Sequence, residues 1–185
     1  MKAIIIPGNG NTDITENWFQ YVKKELQELG LDVIAENMPD PDLARKEYWL
    51  PFIKEKLSTK DAILIGHSSG AVAILRYLET NECKLAILVG VCYTDLGDEH
   101  EKESRYFDEP WKWDKIKDNA EKIVIFASRN DPYIPISEAV FIKDKVNAEY
   151  HEYSDEGHFG SDVNKTEFPE IITVVKKFIE RQRKT

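Results

Sequence analysis

Ala62-Ile63-Leu64-Ile65-Gly66-His67-Ser68-Ser69-Gly70 joins a short apolar run to a Gly-His-Ser-Ser-Gly corner. A helical pattern, Ala71-Val72-Ala73-Ile74-Leu75-Arg76-Tyr77-Leu78, begins at once. Strand, tight turn and helix with the pattern G-x-S-x-G is the arrangement of a nucleophile elbow, with Ser68 at the corner. A turn this sharp crowds its neighbours, so glycine is needed at 66 and 70, where a Cβ would collide. The strained corner lifts the Ser68 hydroxyl above the sheet, near the positive end of the helix.

Outward from the elbow the same alternation recurs. Ala3-Ile4-Ile5-Ile6 is an unbroken apolar run, as in a strand covered on both faces, and Pro7-Gly8-Asn9-Gly10-Asn11 ends it in a loop. Trp18, Phe19, Val22, Leu26 and Leu29 recur at helical spacing until Gly30. Residues 31–35 form a second strand. Asp42 is positioned to cap a helix that reaches Leu57 and is kinked or split by Pro51. After the elbow come a fourth strand at 85–89, a fifth at 122–127 and a helix at 137–145. A more polar edge strand at 149–153 and a closing helix at 168–181 complete the chain. Strand–helix alternation predicts an α/β fold: a three-layer α/β/α sandwich around a mostly parallel sheet. No repeat or linker divides the chain, so residues 1–185 read as one domain. Residues 93–115 break the rhythm with acids and aromatics and are a candidate cap, since a long irregular insertion in a compact domain usually carries function.

In an open parallel sheet the reactive loops lie at the carboxyl ends of the strands. Four of them carry distinctive residues: Gly8-Asn9-Gly10, the elbow, Ser128-Arg129-Asn130-Asp131-Pro132 and Glu156-Gly157-His158-Phe159. Ser, Asp, His is the chain order of α/β-hydrolase triads. A serine hydroxyl needs a base within reach, an imidazole suits that task near neutral pH, and a buried carboxylate fixes its tautomer. Ser68, His158 and Asp131 take those roles. The amide of Ser69 and the loop at Asn9 are the candidate oxyanion donors. Trp111 and Trp113 in the cap, with Phe159 beside His158, are the candidate substrate-binding residues.

Other assignments compete. Asp131 precedes a proline, where aspartate often only starts a turn, and Asp155 is the rival acid. His67 sits inside the elbow and points away from the Ser68 hydroxyl, so packing suits it better. His100 reads as solvated and His151 as structural. The four histidines and two cysteines make no metal set, and the acids from Asp95 to Glu103 lack a calcium-loop order. No metal and no cofactor is expected.

Asp and Glu number 34 against 25 Lys and Arg, for a net charge of −9, which argues against a nucleic-acid or anionic-membrane surface. No apolar run approaches the ~20 residues of a membrane span. The N-terminal run is too short for a signal peptide, and Cys83 and Cys92 read as reduced thiols of a cytoplasmic protein. Asn164-Lys165-Thr166 is a chance sequon in that setting.

Nearly the whole chain resembles the small serine hydrolases of the retinoblastoma-binding protein nine family, in the α/β-hydrolase superfamily. The likeness rests on Pro7-Gly8-Asn9-Gly10, Asn37-Met38-Pro39-Asp40-Pro41, Trp49-Leu50-Pro51-Phe52, the elbow, Thr94-Asp95-Leu96-Gly97-Asp98-Glu99, Pro110-Trp111-Lys112-Trp113, Gly157-His158-Phe159 and Thr166-Glu167-Phe168. The resemblance implies a triad on Ser68, Asp131 and His158 and metal-independent hydrolysis of small esters or amides. It also implies a minimal α/β-hydrolase fold with a six-stranded sheet ordered 2-1-3-4-5-6. That family takes its name from a retinoblastoma-protein contact through a Leu-x-Cys-x-Glu segment. Here the region reads Leu57-Ser58-Thr59-Lys60-Asp61, so that partner is not carried over. The loop 160–164 also looks longer than the family's and would alter access to the site.

Two other classes of function fit parts of the sequence. A catalytically idle interaction module could use the same fold. A dinucleotide binder would use Gly8-Asn9-Gly10 with Glu36 on the ribose, but Asp13 stands where the third glycine of the fingerprint belongs.

Overall fold

A computed structural model describes residues 1–184. Six strands form one parallel sheet: β1 (Lys2–Ile6), β2 (Asp32–Ile34), β3 (Ala62–His67), β4 (Cys83–Val89), β5 (Ala120–Ser128) and β6 (Glu149–Tyr153). Their order is β2-β1-β3-β4-β5-β6, as the resemblance implies. The helices are α1 (Phe19–Glu28), α2 (Lys46–Leu57), α3 (Ser69–Leu78), α4 (Glu99–Ser104), α5 (Trp113–Asp118), α6 (Ile136–Val146) and α7 (Pro169–Gln182).

The period-two geometry of a strand sorts its apolar runs into two cores. Ile4, Ile6, Leu64, Leu88 and Ile125 face α2, α3, α5 and α6, while Ala3, Ile5, Ile63, Ile65 and Ile87 face α1 and α7. This accounts for the unbroken hydrophobic spelling of β1 and β3: both faces are covered. A fully buried isoleucine is worth roughly 1.5–3 kcal/mol, so each central strand anchors both layers. Among the described residues no helix is long and apolar enough to cross a membrane.

Local details differ from expectation. Asp42 does not cap α2, which starts at Lys46 after Arg45. Asp42 instead accepts the Gly10 N–H through its carbonyl, and its carboxylate accepts from Asn11, so it holds the loop after β1. Pro51 does not split α2, and one helix runs through it. Residues 93–115 are less irregular than their spelling suggests, since α4 lies within them and α5 begins at Trp113.

This segment is fastened at both ends. Buried Glu138 of α6 accepts from the main-chain N–H of Tyr93 (2.8 Å) and Thr94 (3.1 Å) and from the Thr94 hydroxyl (2.9 Å). Buried Arg76 of α3 donates to the carbonyls of Tyr106, Glu109 and Pro110, pairs with Glu79, and lies 3.6 Å from the Trp111 ring centre. The guanidinium fork matches several carbonyls and an aromatic face at once, which a lysine could not do.

Candidate active site

The elbow follows from sterics. A Cβ on Gly66 would lie 2.5 Å from the carbonyl group of Gly70, and one on Gly70 would run into the Ile6 carbonyl of β1. Glycine at both positions lets α3 leave the sheet directly over β1. Ser68 occupies φ 55°, ψ −120°, a conformation that costs a non-glycine residue about 1–3 kcal/mol and recurs at functional corners. The Ser68 N–H bonds the Val89 carbonyl (2.8 Å), and the Ser68 carbonyl starts α3 by accepting from Ala71 and Val72. The surrounding hydrogen bonds thus hold the strain in place.

The loops after β5 and β6 are tied to each other. Ser128 Oγ donates to Asn130 Oδ1 (2.8 Å) and accepts from the Glu156 N–H (2.9 Å), while Asn130 Oδ1 also accepts from the Gly157 N–H (2.8 Å). This brace brings Asp131 and His158 together, with Nδ1 of His158 2.7 Å from Oδ2 of Asp131. The carboxylate side chain is 3% exposed and the imidazole 11%, so the pair interacts with little screening by water. Asp131 Oδ1 accepts from the N–H groups of Tyr133 (2.8 Å) and Ile134 (3.0 Å), which aims Oδ2 at the imidazole. Asp155 is exposed. Gly90 (φ 58°) ends β4 directly beneath, where a Cβ would lie 3.1 Å from His158 Cε1.

The main chain of His158 is held from two sides. Its N–H donates to Asp162 Oδ2 (2.7 Å), and its carbonyl accepts from His67 Nε2 (2.7 Å). The 160–164 loop reaches the site directly, because Asp162 within it fixes the backbone of His158. A carbonyl can only accept, so Nε2 of His67 carries the proton, and Nδ1 is buried without a partner. Burial, then the neighbouring His158, push the His67 pKa down to about 3. Below its ordinary 6.5 the unfolded chain takes up a proton that the folded chain refuses down to about 3. Folding stability attributable to His67 is therefore full above pH 6.5 and is lost on acidification toward 3, at up to about 1.4 kcal/mol per pH unit. Urea midpoints measured from pH 7 to 4 should fall more steeply for the wild type than for His67→Gln. Parallel slopes would contradict the assignment.

Ser68 and His158 line a common cavity of about 830 Å³ with Gly8, Asn9 and Ser69. No acceptor among the described residues takes the main-chain N–H of Asn9 or of Ser69. The Ser69 hydroxyl is buried, and its residue is only 2% exposed. The far wall comes from Leu96–Glu101, and Tyr133, 64% exposed, stands at the mouth with its ring 5.1 Å from His158. Glu16, Asp98, Glu99, Glu101 and Asp162 line the cavity, and no lysine or arginine among the described residues does. The acids of this region also have structural partners: Asp98 caps α4, Asp95 accepts from Gly97, and Glu99 pairs with Lys102.

Three expected substrate residues lie elsewhere. Trp111 and Trp113 stack on each other (5.3 Å) and pack against Arg76, Tyr93 and Phe141, outside the cavity lining. Phe159 is wholly buried, stacks on Phe168, and offers its carbonyl to Trp18 Nε1. Large aromatics bury more apolar area in the core than at a cavity wall, and the two cores claimed all three. Glu36 pairs with Lys56 (2.6 Å), and the Gly8–Gly10 loop does not open the next helix, which begins only at Phe19, so a dinucleotide site has no support here. Glu101, Glu138, Tyr133 and Asp162 were missed. Each is a single polar or aromatic residue in a loop or first turn, and only adjacency in space distinguishes it.

A family model described as "Serine hydrolase" matches residues 3–177. "Serine hydrolase RBBP9" of Rattus norvegicus is 44% identical over 181 residues, covering 96% of this chain and 95% of that protein. YdeN of Bacillus subtilis (strain 168) is 27% identical over 187 residues, covering 98% of each. The solved structure of the ydeN gene product superposes with a TM-score of 0.88 at 26% identity, covering 97% of this chain and all of that one. The chain belongs to the family of small RBBP9- and YdeN-like serine hydrolases within the α/β-hydrolase superfamily.

Proposed function

We propose that this serine hydrolase cleaves small acyl esters or amides through Ser68, His158 and Asp131. The observation that carries the reading is the 2.7 Å Asp131–His158 contact beside the strained Ser68, all at one end of the sheet. His158 accepts the Ser68 proton as Oγ bonds to the substrate carbonyl carbon. The resulting oxyanion takes the free N–H groups of Asn9 and Ser69. The imidazolium, stabilised by Asp131, then protonates the leaving alcohol or amine as its bond to carbon breaks. Water, deprotonated by His158, repeats the addition on the acyl-enzyme and releases the acid and Ser68.

A cavity of about 830 Å³ suits a small molecule, and its carboxylate lining disfavours anionic acyl groups. Residues 1–185 work as one domain in this reading. The cap is the first half of the 93–115 segment, and the tryptophans clamp it to α3 and α6.

A fluorophosphonate probe tests the reading. It should label the protein stoichiometrically, with the adduct on the peptide containing Ser68 by mass spectrometry. No labelling would leave an idle module on a hydrolase fold, and an adduct elsewhere would remove Ser68 from its role.

A further inference from the structure

The capping segment meets the loop after β1 at a polar contact that the proposed chemistry does not use. Asn9 Nδ2 donates to Glu101 Oε1 at 2.8 Å, across 92 residues of chain. Glu101 lies on α4, half-buried in the wall of the cavity that Ser68 and His158 share. Burial raises its carboxyl above the ordinary range, and the Asn9 amide partly offsets that. A carboxyl group in such a place is costly unless paired, and Asn9 is its partner.

Asn9 is held on its other side as well. Its carbonyl accepts from the Thr12 N–H (3.3 Å) and from Thr12 Oγ1 (2.7 Å). The next two N–H groups, of Gly10 and Asn11, are tied to the carbonyls of Asp42 and Pro41. With carbonyl, side chain and following peptides all engaged, the main-chain N–H of Asn9 is left free beside Ser68. Glu101 itself is a poor partner for an oxyanion, since an ionised carboxylate can only accept and its charge would repel the developing negative oxygen. Apart from its charge acting on His158, the route by which it reaches the oxyanion site is its hydrogen bond to Asn9.

We propose that Glu101 is a positioning residue: it fixes the Asn9 side chain so that the Asn9 main-chain N–H stays aimed at the oxygen of the tetrahedral intermediate. This rests on the reading of Asn9 as an oxyanion donor. It makes correct seating of α4 a condition for turnover, since the oxyanion loop is braced by the segment that walls the substrate cavity.

Steady-state hydrolysis of p-nitrophenyl acetate tests this with Glu101→Ala, Glu101→Gln, Glu101→Asp, Asn9→Ala and the Asn9→Ala/Glu101→Ala double variant, each checked for thermal midpoint. Loss of one positioning hydrogen bond should lower kcat about tenfold in Glu101→Ala while KM stays within about twofold. Glu101→Gln keeps an oxygen that can accept from Asn9 and should recover most of kcat. Glu101→Asp keeps the charge but is one methylene short, and should not. In the Asn9→Ala background, Glu101→Ala should add little, because both remove the same contact. Recovery by Asp and not by Gln, or fully additive losses in the double variant, would overturn the proposal by showing that the charge acts independently of Asn9. Full kcat in Glu101→Ala beside an impaired Asn9→Ala would overturn it and leave the oxyanion loop standing. Full kcat in Asn9→Ala, which keeps the main-chain N–H, would overturn the proposal and leave the oxyanion reading of that N–H standing. Should Glu101→Ala fail to fold, the Gln and Asp variants carry the same comparison.

Discussion

Ser68→Ala lowers kcat for p-nitrophenyl acetate by a factor on the order of 10⁶, the scale on which a serine hydrolase loses its nucleophile. The change removes Oγ and leaves the fold nearly untouched. Alanine meets the same positive-φ corner, and the Ser68 N–H and carbonyl keep their bonds to Val89, Ala71 and Val72. The thermal midpoint should therefore stay close to wild type while turnover collapses. Ser69 is not placed to take over, because its hydroxyl is buried. Residual turnover of a few per cent or more would show that the reaction does not pass through an acyl-Ser68 intermediate.

Asp131→Asn should lower kcat by about 10⁴ with a smaller change in KM, as expected when the base is locked in the wrong tautomer. The structure dictates which way the new amide points. Oδ1 of Asp131 accepts from the N–H groups of Tyr133 and Ile134, and only an oxygen can keep those two bonds. The amide nitrogen is thereby turned toward His158 Nδ1 and donates to it. Nδ1 must then lose its hydrogen, Nε2 carries the proton, and the imidazole has no lone pair to offer Ser68. Near-normal turnover would hand the orienting role to another acid. Asp162 is already committed to the main-chain N–H of His158, and Asp155 is exposed, so neither is placed for it.

Much of this arrangement is written locally. The five residues Gly66–Gly70 carry their own geometric necessity, because only glycine fits beside the Gly70 and Ile6 carbonyls. Strand ends follow from where apolar runs stop, and parallel order then brings every loop after a strand to one side. Ser68, Asp131 and His158 could thus be named together before any distance was known. The tryptophans could not be placed by the same logic. Trp111 and Trp113 look like a cavity lining as long as Arg76 is read as one more polar residue of α3. Once Arg76 is buried against Trp111 and three carbonyls, the ring pair is a clamp. Likewise Phe159 adjoins His158 in sequence, but its positive φ of 57° turns its side chain into the core beside Phe168.

By itself the sequence determined the α/β class, the extent of the two-sided sheet, the elbow and the strand ends that bring a serine, a histidine and two candidate acids to one side. These rest on period, sterics and chain order, which are properties of short segments. Only the tertiary structure decided which acid faces His158, that His67 stays neutral while holding the His158 carbonyl, and that Glu101 reaches Asn9. Those depend on hydrogen bonds between residues 27 to 92 positions apart, made where several loops converge. A polar side chain in such a place is chosen by its neighbours in space, and nothing in its own segment marks it out.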